Sequence, residues 1–115
     1  MKRKIVQLSK ELFKVKTQIE NEILQGNKTN ESLYFLIQKS IGFLKSERIG
    51  APISKKLPIY KYFENKFGIT NLFLIDITKE ARAFYTNTSK DEFEILQIIL
   101  EIHETHKEYE KKGHY

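Results

Sequence analysis

The stretch LFLIDITKEARAFYTNTSKDEFEILQIILEI, residues 72–102, decides the fold class of this chain. It holds three segments rich in Ile, Leu, Phe and Tyr, which a Thr-Lys-Glu turn and the polar loop NTSKDE separate. Branched and aromatic residues between polar breaks are typical of β-strands joined as hairpins. The sequence therefore predicts an antiparallel sheet with strands at residues 72–77, 81–86 and 94–102.

Side-chain alternation predicts which face of the last strand is buried, because successive residues point to opposite faces of a sheet. One alternating set is wholly apolar and is predicted to face the helices: Leu96, Ile98, Leu100 and Ile102. The other set becomes polar toward its end and is predicted to face outward: Ile95, Gln97, Ile99, Glu101 and His103.

The same rule applies to the middle strand. Arg82 and Phe84 are predicted to lie on the outward face, away from the helices. Ala81, Ala83 and Tyr85 fall on the other face, where small and aromatic side chains can pack on helices. Arg82 and His103 are therefore expected to share a face.

Two amphipathic helices are predicted upstream of the sheet. Apolar residues recur every three or four positions over residues 5–23 and again over residues 33–44. Gly26 separates the two helices, which are expected to form a hairpin. The predicted helix residues of the core are Leu12, Ile19, Ile23, Leu33, Ile37 and Leu44. Two β-branched residues leave open whether a short strand at residues 4–6 comes first.

The composition limits the class of protein. With 115 residues and a hydrophobic fraction of 40%, the chain can bury one core, so residues 1–115 are expected to be one domain. The absence of Cys excludes disulfides, thiolate zinc sites and a Cys nucleophile, and a reducing cytoplasm is the expected compartment. The basic start is soon followed by Lys10 and Glu11, so neither a signal peptide nor a membrane span is expected.

The charge distribution points to an anionic partner. The net charge is +5, and residues 1–70 hold 14 Lys and Arg against 6 Asp and Glu, whereas residues 71–115 hold 6 against 9. A basic first part can bind nucleic acid, but a lysine-rich helix face can also be simply a solvated surface.

Three segments carry a resemblance to a known family. ARAFYT (residues 81–86) is similar to a strand signature with Arg, Tyr and Thr, HKEYEKKGHY (residues 106–115) to a tail with His and Tyr, and GITNLFLIDI (residues 68–77) to the strand before the Arg strand. Taken in their order along the chain, these segments resemble the RelE/ParE toxin superfamily, and its archaeal RelE-like members in particular. The resemblance spans roughly residues 30–112. It implies an α+β fold in which an N-terminal two-helix hairpin packs on a small twisted antiparallel sheet.

The resemblance also implies a function, that of the toxin in a type II toxin-antitoxin system. RelE-like members cleave messenger RNA on the ribosome, whereas ParE-like members poison DNA gyrase. Cleavage by attack of a 2′-OH on the phosphate needs cations and titratable groups, so no cofactor or metal is expected. Two alternatives remain: a non-catalytic protein that binds a gyrase-type target, and a mobile-element or viral adaptor that has kept the fold.

The nuclease hypothesis assigns four catalytic residues. Arg82 would clamp the phosphate through its guanidinium group. His103 and His106, at the end of the last strand, would act as general acid and base, and Tyr109 would stack on a base or donate its proton. Without a catalytic role, Arg82 would be an exposed strand residue that pairs with Asp76 or Glu101, and the histidines would be ordinary exposed side chains.

Three lysines are candidates for RNA binding. Lys55, Lys56 and Lys61 belong to the basic and aromatic segment KKLPIYKYFENKFG, residues 55–68, which is predicted to be a loop or a short helix. The resemblance implies phosphate-contacting lysines in this region.

A metal site is not expected. His103, His106 and Glu110 would share one face of a helix, but no further ligand stands at a fitting place.

Two positions on the strands differ from the family pattern. Leu74 stands where archaeal relatives carry Arg or Lys, and Ala81 replaces a large aromatic residue.

The resemblance also implies partners. A cognate antitoxin is the expected partner, docking on the outward apolar positions Ile95, Ile99 and Phe84. Messenger RNA and the ribosome are further partners if the chain is a nuclease.

Overall fold

The computed structural model describes residues 3–46 and 48–105, which form an α+β domain. Its elements in chain order are β1 (Arg3–Leu8), α1 (Lys10–Leu24), α2 (Glu31–Lys45), β2 (Ala51–Pro52), α3 (Pro58–Phe67), β3 (Phe73–Asp76), β4 (Arg82–Ser89) and β5 (Glu94–His103). The three strands predicted from the deciding stretch all form, within three residues of the expected bounds. None of the helices in the described part of the chain is long and apolar enough to span a membrane.

The sheet is mixed, with the strand order β1-β5-β4-β3-β2. β1 runs parallel to β5, and the other neighbouring strands are antiparallel. The short first strand that the sequence left open does form, so the helices do not come first. The prediction of a wholly antiparallel sheet is wrong, because this strand pairs with β5 in parallel. Val6 and Leu8 pack against the core from β1, so the apolar spacing that predicted one long helix is shared between a strand and a helix.

Ser9 sets the boundary between β1 and α1. Its hydroxyl oxygen accepts a hydrogen bond from the backbone N–H of Leu12 at 3.2 Å, as an N-cap does. The same hydroxyl donates to the carbonyl oxygen of Leu100 at 2.9 Å. The start of α1 is thereby tied to β5.

α1 and α2 contact each other and pack on one face of the sheet. This core includes Ile75, Ala83, Tyr85 and Ile99 from the strands. Of the predicted helix residues of the core, these four are buried: Leu12, Ile19, Ile37 and Leu44. The other two, Ile23 and Leu33, are only half-buried.

α3 packs on the opposite face and makes the sheet the middle layer. Its Phe63 and Ile59 form a second core with Leu72, Phe84 and Leu100. Two features of the sequence delimit α3: Pro58 lies at its first turn, and Gly68 adopts the left-handed conformation (φ 66°) just after it. The segment predicted to be a loop or a short helix thus covers the face that was expected to be open.

A β-bulge in β5 changes the predicted faces. Phe84 pairs with Glu101 and the next residue, Tyr85, pairs with Ile99, so Leu100 is an extra residue. As a result Ile99 joins the core under α1 and α2, while Leu100 joins the core under α3. The prediction for Ile102 is confirmed, since it packs beside Ile99.

The predictions for three other positions on these strands are therefore wrong. Ile98 and Leu100 pack on the α3 side rather than on the predicted side. Ile99, expected to face outward, is fully buried.

The outward position of Phe84 is also corrected. Phe84 lies on the face predicted for it, opposite Ala83 and Tyr85, but α3 covers it and its exposed fraction is 0%. Neither Ile99 nor Phe84 is therefore accessible to an antitoxin, and Ile95 is half-buried.

Gly50 occupies a position where a side chain has no room. Its N–H donates to the Tyr85 hydroxyl at 2.9 Å, and an added Cβ would lie 2.5 Å from the Leu74 carbonyl oxygen. We expect Gly50→Ala to lower the free energy of unfolding by about 1–3 kcal/mol, because the backbone must move to relieve this overlap. Urea denaturation measures the change.

A matched control for Gly50→Ala is Gly42→Ala in the middle of α2. An added Cβ at Gly42 meets no atom within 4 Å, and Ala is the better helix former. This variant should therefore be stabilised. Equal effects of the two substitutions would contradict the packing described for Gly50.

Candidate functional site

Arg82 and His103 stand directly opposite each other on β4 and β5. They share the face of the sheet opposite α1 and α2, as predicted, but α3 packs on that face, which was not predicted. Arg82 is also opposite Asp76 of β3, and its Nε lies 3.2 Å from the Asp76 Oδ1 atom. The Arg82 side chain keeps an exposed fraction of 24%. The pairing with Asp76 is the structural role considered for Arg82 as the alternative to phosphate binding.

His103 is buried rather than exposed at a strand end. Its exposed fraction is 1%, and its ring lies against Phe84 (centroids 4.6 Å apart) and stacks with Phe63 of α3 (6.0 Å). Its Nε2 atom contacts Glu101 Oε1 at 2.9 Å, and its Nδ1 atom has no hydrogen-bond partner among the described residues. A substrate cannot reach this imidazole while α3 covers it.

Glu101 is the centre of a polar network that extends from the buried His103 to the surface. Its Oε2 atom accepts hydrogen bonds from the Tyr62 hydroxyl at 2.5 Å and from Lys66 Nζ at 2.8 Å, while its Oε1 atom contacts His103. Lys66 Nζ also lies 3.3 Å from the Glu11 carboxylate. We call these five residues the Glu101 network; it joins α1, α3 and β5.

The electrostatics of the Glu101 network indicate a stabilising ion pair. Partial burial lowers the pKa of Lys66, but hydrogen bonds to Glu101, Tyr62 and Glu11 and the charge of Glu101 outweigh it and raise the pKa well above its usual range. Lys66 therefore stays charged at neutral pH and cannot serve as a base. Because Tyr62, Lys66 and His103 all contact the Glu101 carboxylate, that group is not available to a substrate either.

The candidate RNA-binding lysines lie on the surface. Lys55 and Lys56 belong to the turn before α3, where the Ser54 hydroxyl accepts a hydrogen bond from the Lys56 N–H at 3.2 Å. Lys61 is on the exposed side of α3. All three can contact an anion.

His106, Tyr109 and Glu110 lie outside the described residues. Within residues 3–46 and 48–105, no group of three or more acidic or histidine side chains could hold a metal ion.

A groove of about 630 Å³ opens beside α3, away from the predicted residues. Ile98 and Leu100 of β5, Thr86 of β4, Phe67 of α3 and Lys10 of α1 contribute to its walls. Arg82 and His103 do not line it. This groove is thus separate from Arg82 and His103, although Glu11 and Lys66 of the Glu101 network contribute to its walls.

Sequence reasoning missed Tyr62 and Lys66 as partners of Glu101. A signal was present, because residues four apart lie on one face of a helix and these two flank the apolar Phe63. It could be used only once α3 was known to lie on the outward face of the sheet.

Searches of protein-family models, curated proteins and solved structures found no match to the chain.

Proposed function

We propose that this chain is a toxin of the RelE/ParE type that acts by binding a protein target rather than by cutting RNA. The observation that carries the proposal is the state of His103, which is 1% exposed, covered by Phe63 and held by Glu101. A general acid or base must come within hydrogen-bond reach of the reacting group. His103 cannot do so, and its place in the Glu101 network favours a structural role.

The order of elements supports the family part of the proposal. Two consecutive helices, a basic turn at Lys55 and Lys56, a strand that begins with Arg82 and a last strand leading into the tail follow one another as in the resemblance. In this proposal α1 and α2 are the hairpin of the RelE/ParE fold. A cognate antitoxin is the expected partner and the cytoplasm the expected compartment.

A RelE-like endoribonuclease is the second candidate. The observation that favours it is the position of Arg82, which is partly exposed and directly opposite the end of β5. The tail with His106 and Tyr109 continues from that strand end, so Arg82 could neutralise phosphate charge while a tail residue transfers the proton.

Induced expression in growing cells tests these functions. We expect growth arrest with intact messenger RNA from the wild type, and the same arrest from Arg82→Ala, since loss of its pair with the exposed Asp76 should cost only about 1 kcal/mol or less. Growth, translation, DNA supercoiling and messenger RNA length are measured together. Lys79→Ala, in the exposed turn between β3 and β4, is the matched control for loss of a cation.

The other outcomes identify the other functions. RNA cleavage by the wild type that falls roughly 10²- to 10³-fold in Arg82→Ala would establish the nuclease and refute the binding toxin. Absence of growth arrest from the folded wild type would favour the adaptor.

A further inference from the structure

One side of α2, with Arg48 just beyond its end, carries alternating rings and cations. Phe35, Lys39 and Phe43 are spaced by four residues, so they follow one another along one side of the helix. Lys39 Nζ lies 5.6 Å from the ring centroid of Phe35 and 5.5 Å from that of Phe43. The guanidinium carbon of Arg48 lies 4.0 Å from the Phe43 centroid. We call Phe35, Lys39, Gly42, Phe43 and Arg48 the α2 stripe.

The α2 stripe is accessible. Phe35 has an exposed fraction of 57%, and Gly42 and Arg48 are exposed. The residues that hold α2 on the sheet lie on the other side of the helix, where Ile37 and Leu44 are fully buried. Phe43 is half-buried and packs against the core under α1 and α2, and Lys39 is also half-buried. Phe35, Gly42 and Arg48 are therefore the part of the stripe that is open to a partner.

Gly42 leaves room for close approach to the α2 stripe. Gly is a poor residue for the interior of a helix, and no atom of the chain lies within 4 Å of the place where its Cβ would be. Packing within the chain therefore does not explain why Gly stands at this position. A partner whose backbone lies against the helix would explain it, because such a partner leaves no space for a Cβ.

The charge of the α2 stripe selects the kind of partner. Two of its five residues are cations and none is acidic, so two stripes that meet directly would bring like charges together, although Glu31 lies one turn before Phe35 on the same side of the helix. Single-stranded nucleic acid would need a series of accessible rings to stack on, but Lys39 lies over both rings of the stripe and Arg48 also lies over the Phe43 ring. A partner protein fits both the rings and the cations of the stripe if its apolar side chains pack on the rings and its carboxylates pair with Lys39 and Arg48.

We infer that the α2 stripe binds an acidic amphipathic helical segment of a partner protein. The inference rests on the proposed function, since it names the surface and the partner chemistry of a binding protein. Recognition takes the form in which an amphipathic helix lays its apolar face on a complementary surface.

Fluorescence anisotropy with defined probes tests the inference. The probes are a labelled amphipathic helical peptide of Leu and Glu, a scrambled peptide of the same composition, and a single-stranded RNA. We expect the full chain to bind the amphipathic peptide, and Phe35→Ala or Lys39→Glu to weaken this binding roughly tenfold. Phe93→Ala and Lys90→Glu, in the exposed loop between β4 and β5, are the matched controls and should leave binding unchanged.

Gly42→Ala separates binding from stability. The substitution should raise the melting temperature by roughly 3–8 °C, because it favours the helix. It should nevertheless weaken peptide binding, because the added Cβ occupies the space of the partner backbone. A destabilised α2 cannot produce this combination.

Several results would overturn the inference: no binding of the amphipathic peptide, equal binding of the scrambled peptide, or equal losses in the control variants. Binding of the RNA alone, lost in Phe35→Ala, would assign the stripe to nucleic acid instead. Growth arrest with intact messenger RNA but without peptide binding would refute this inference and leave the proposed function standing. Peptide binding by a chain that cleaves messenger RNA would support this inference and refute the proposed function.

Discussion

Phe63→Ala is expected to lower the free energy of unfolding by about 3–5 kcal/mol. Phe63 has an exposed fraction of 0% and is the residue of α3 that contacts Phe67, Phe84 and His103 through its ring. Its truncation leaves a cavity between α3 and the sheet that the neighbouring rings cannot fill. Since domains are typically stable by about 5–15 kcal/mol, the loss is a large part of the total.

Urea denaturation of the wild type and two variants measures this loss. Phe93→Ala is the matched control, because Phe93 is 73% exposed and its loss should change stability by about 0.5 kcal/mol or less. Phe63→Leu refills part of the cavity and should recover part of the stability, so that the effect can be measured even if Phe63→Ala does not fold. Similar stabilities of Phe63→Ala and Phe93→Ala would contradict the packing of α3.

Glu101→Ala is expected to cost about 3 kcal/mol, the low end of the range for breaking a buried ion pair. The substitution removes the acceptor of the Tyr62 hydroxyl and leaves the buried His103 without its contact to a carboxylate. Lys66 suffers less, because its side chain is 34% exposed and still contacts Glu11. These two facts set the expected loss at the low end.

A comparison of variants separates the charge of Glu101 from its shape. Glu101→Gln keeps an acceptor for Tyr62 but removes the charge, so its cost reports the ion pair with Lys66. Glu104→Ala, at an exposed position, is the control for removal of a carboxylate. In a double-mutant cycle with Lys66→Met, additive losses for Glu101→Gln and Lys66→Met would show that the two residues do not interact.

The sequence predicted the elements of the sheet better than its faces. Branched residues and polar breaks located β3, β4 and β5, because these signals are local. The extra residue Leu100 could not be predicted, because a bulge depends on how β5 pairs with β4. One such residue moves Ile99 and Ile98 to the faces opposite to those expected.

The sequence predicted that Arg82 and His103 share a face of the sheet, but not that α3 covers His103. Strand alternation places Arg82 and His103 on one face, and the register confirms this. The burial of His103 depends on α3, which alternation within the strands does not report. Tyr62 and Lys66 became partners of Glu101 for the same reason, since they come from an element that the sequence left as a loop or a short helix.

The parallel pairing of β1 with β5 has a consequence for the kinetics of folding. Arg3 pairs with Glu94, and the Ser9 hydroxyl bonds to Leu100, 91 residues away in the chain. Such distant contacts raise the contact order, and loop closure must be completed before they stabilise the chain. During synthesis β1 has no partner strand until β5 (Glu94–His103) has left the ribosome, so the finished sheet, and any activity that depends on it, cannot arise before that point.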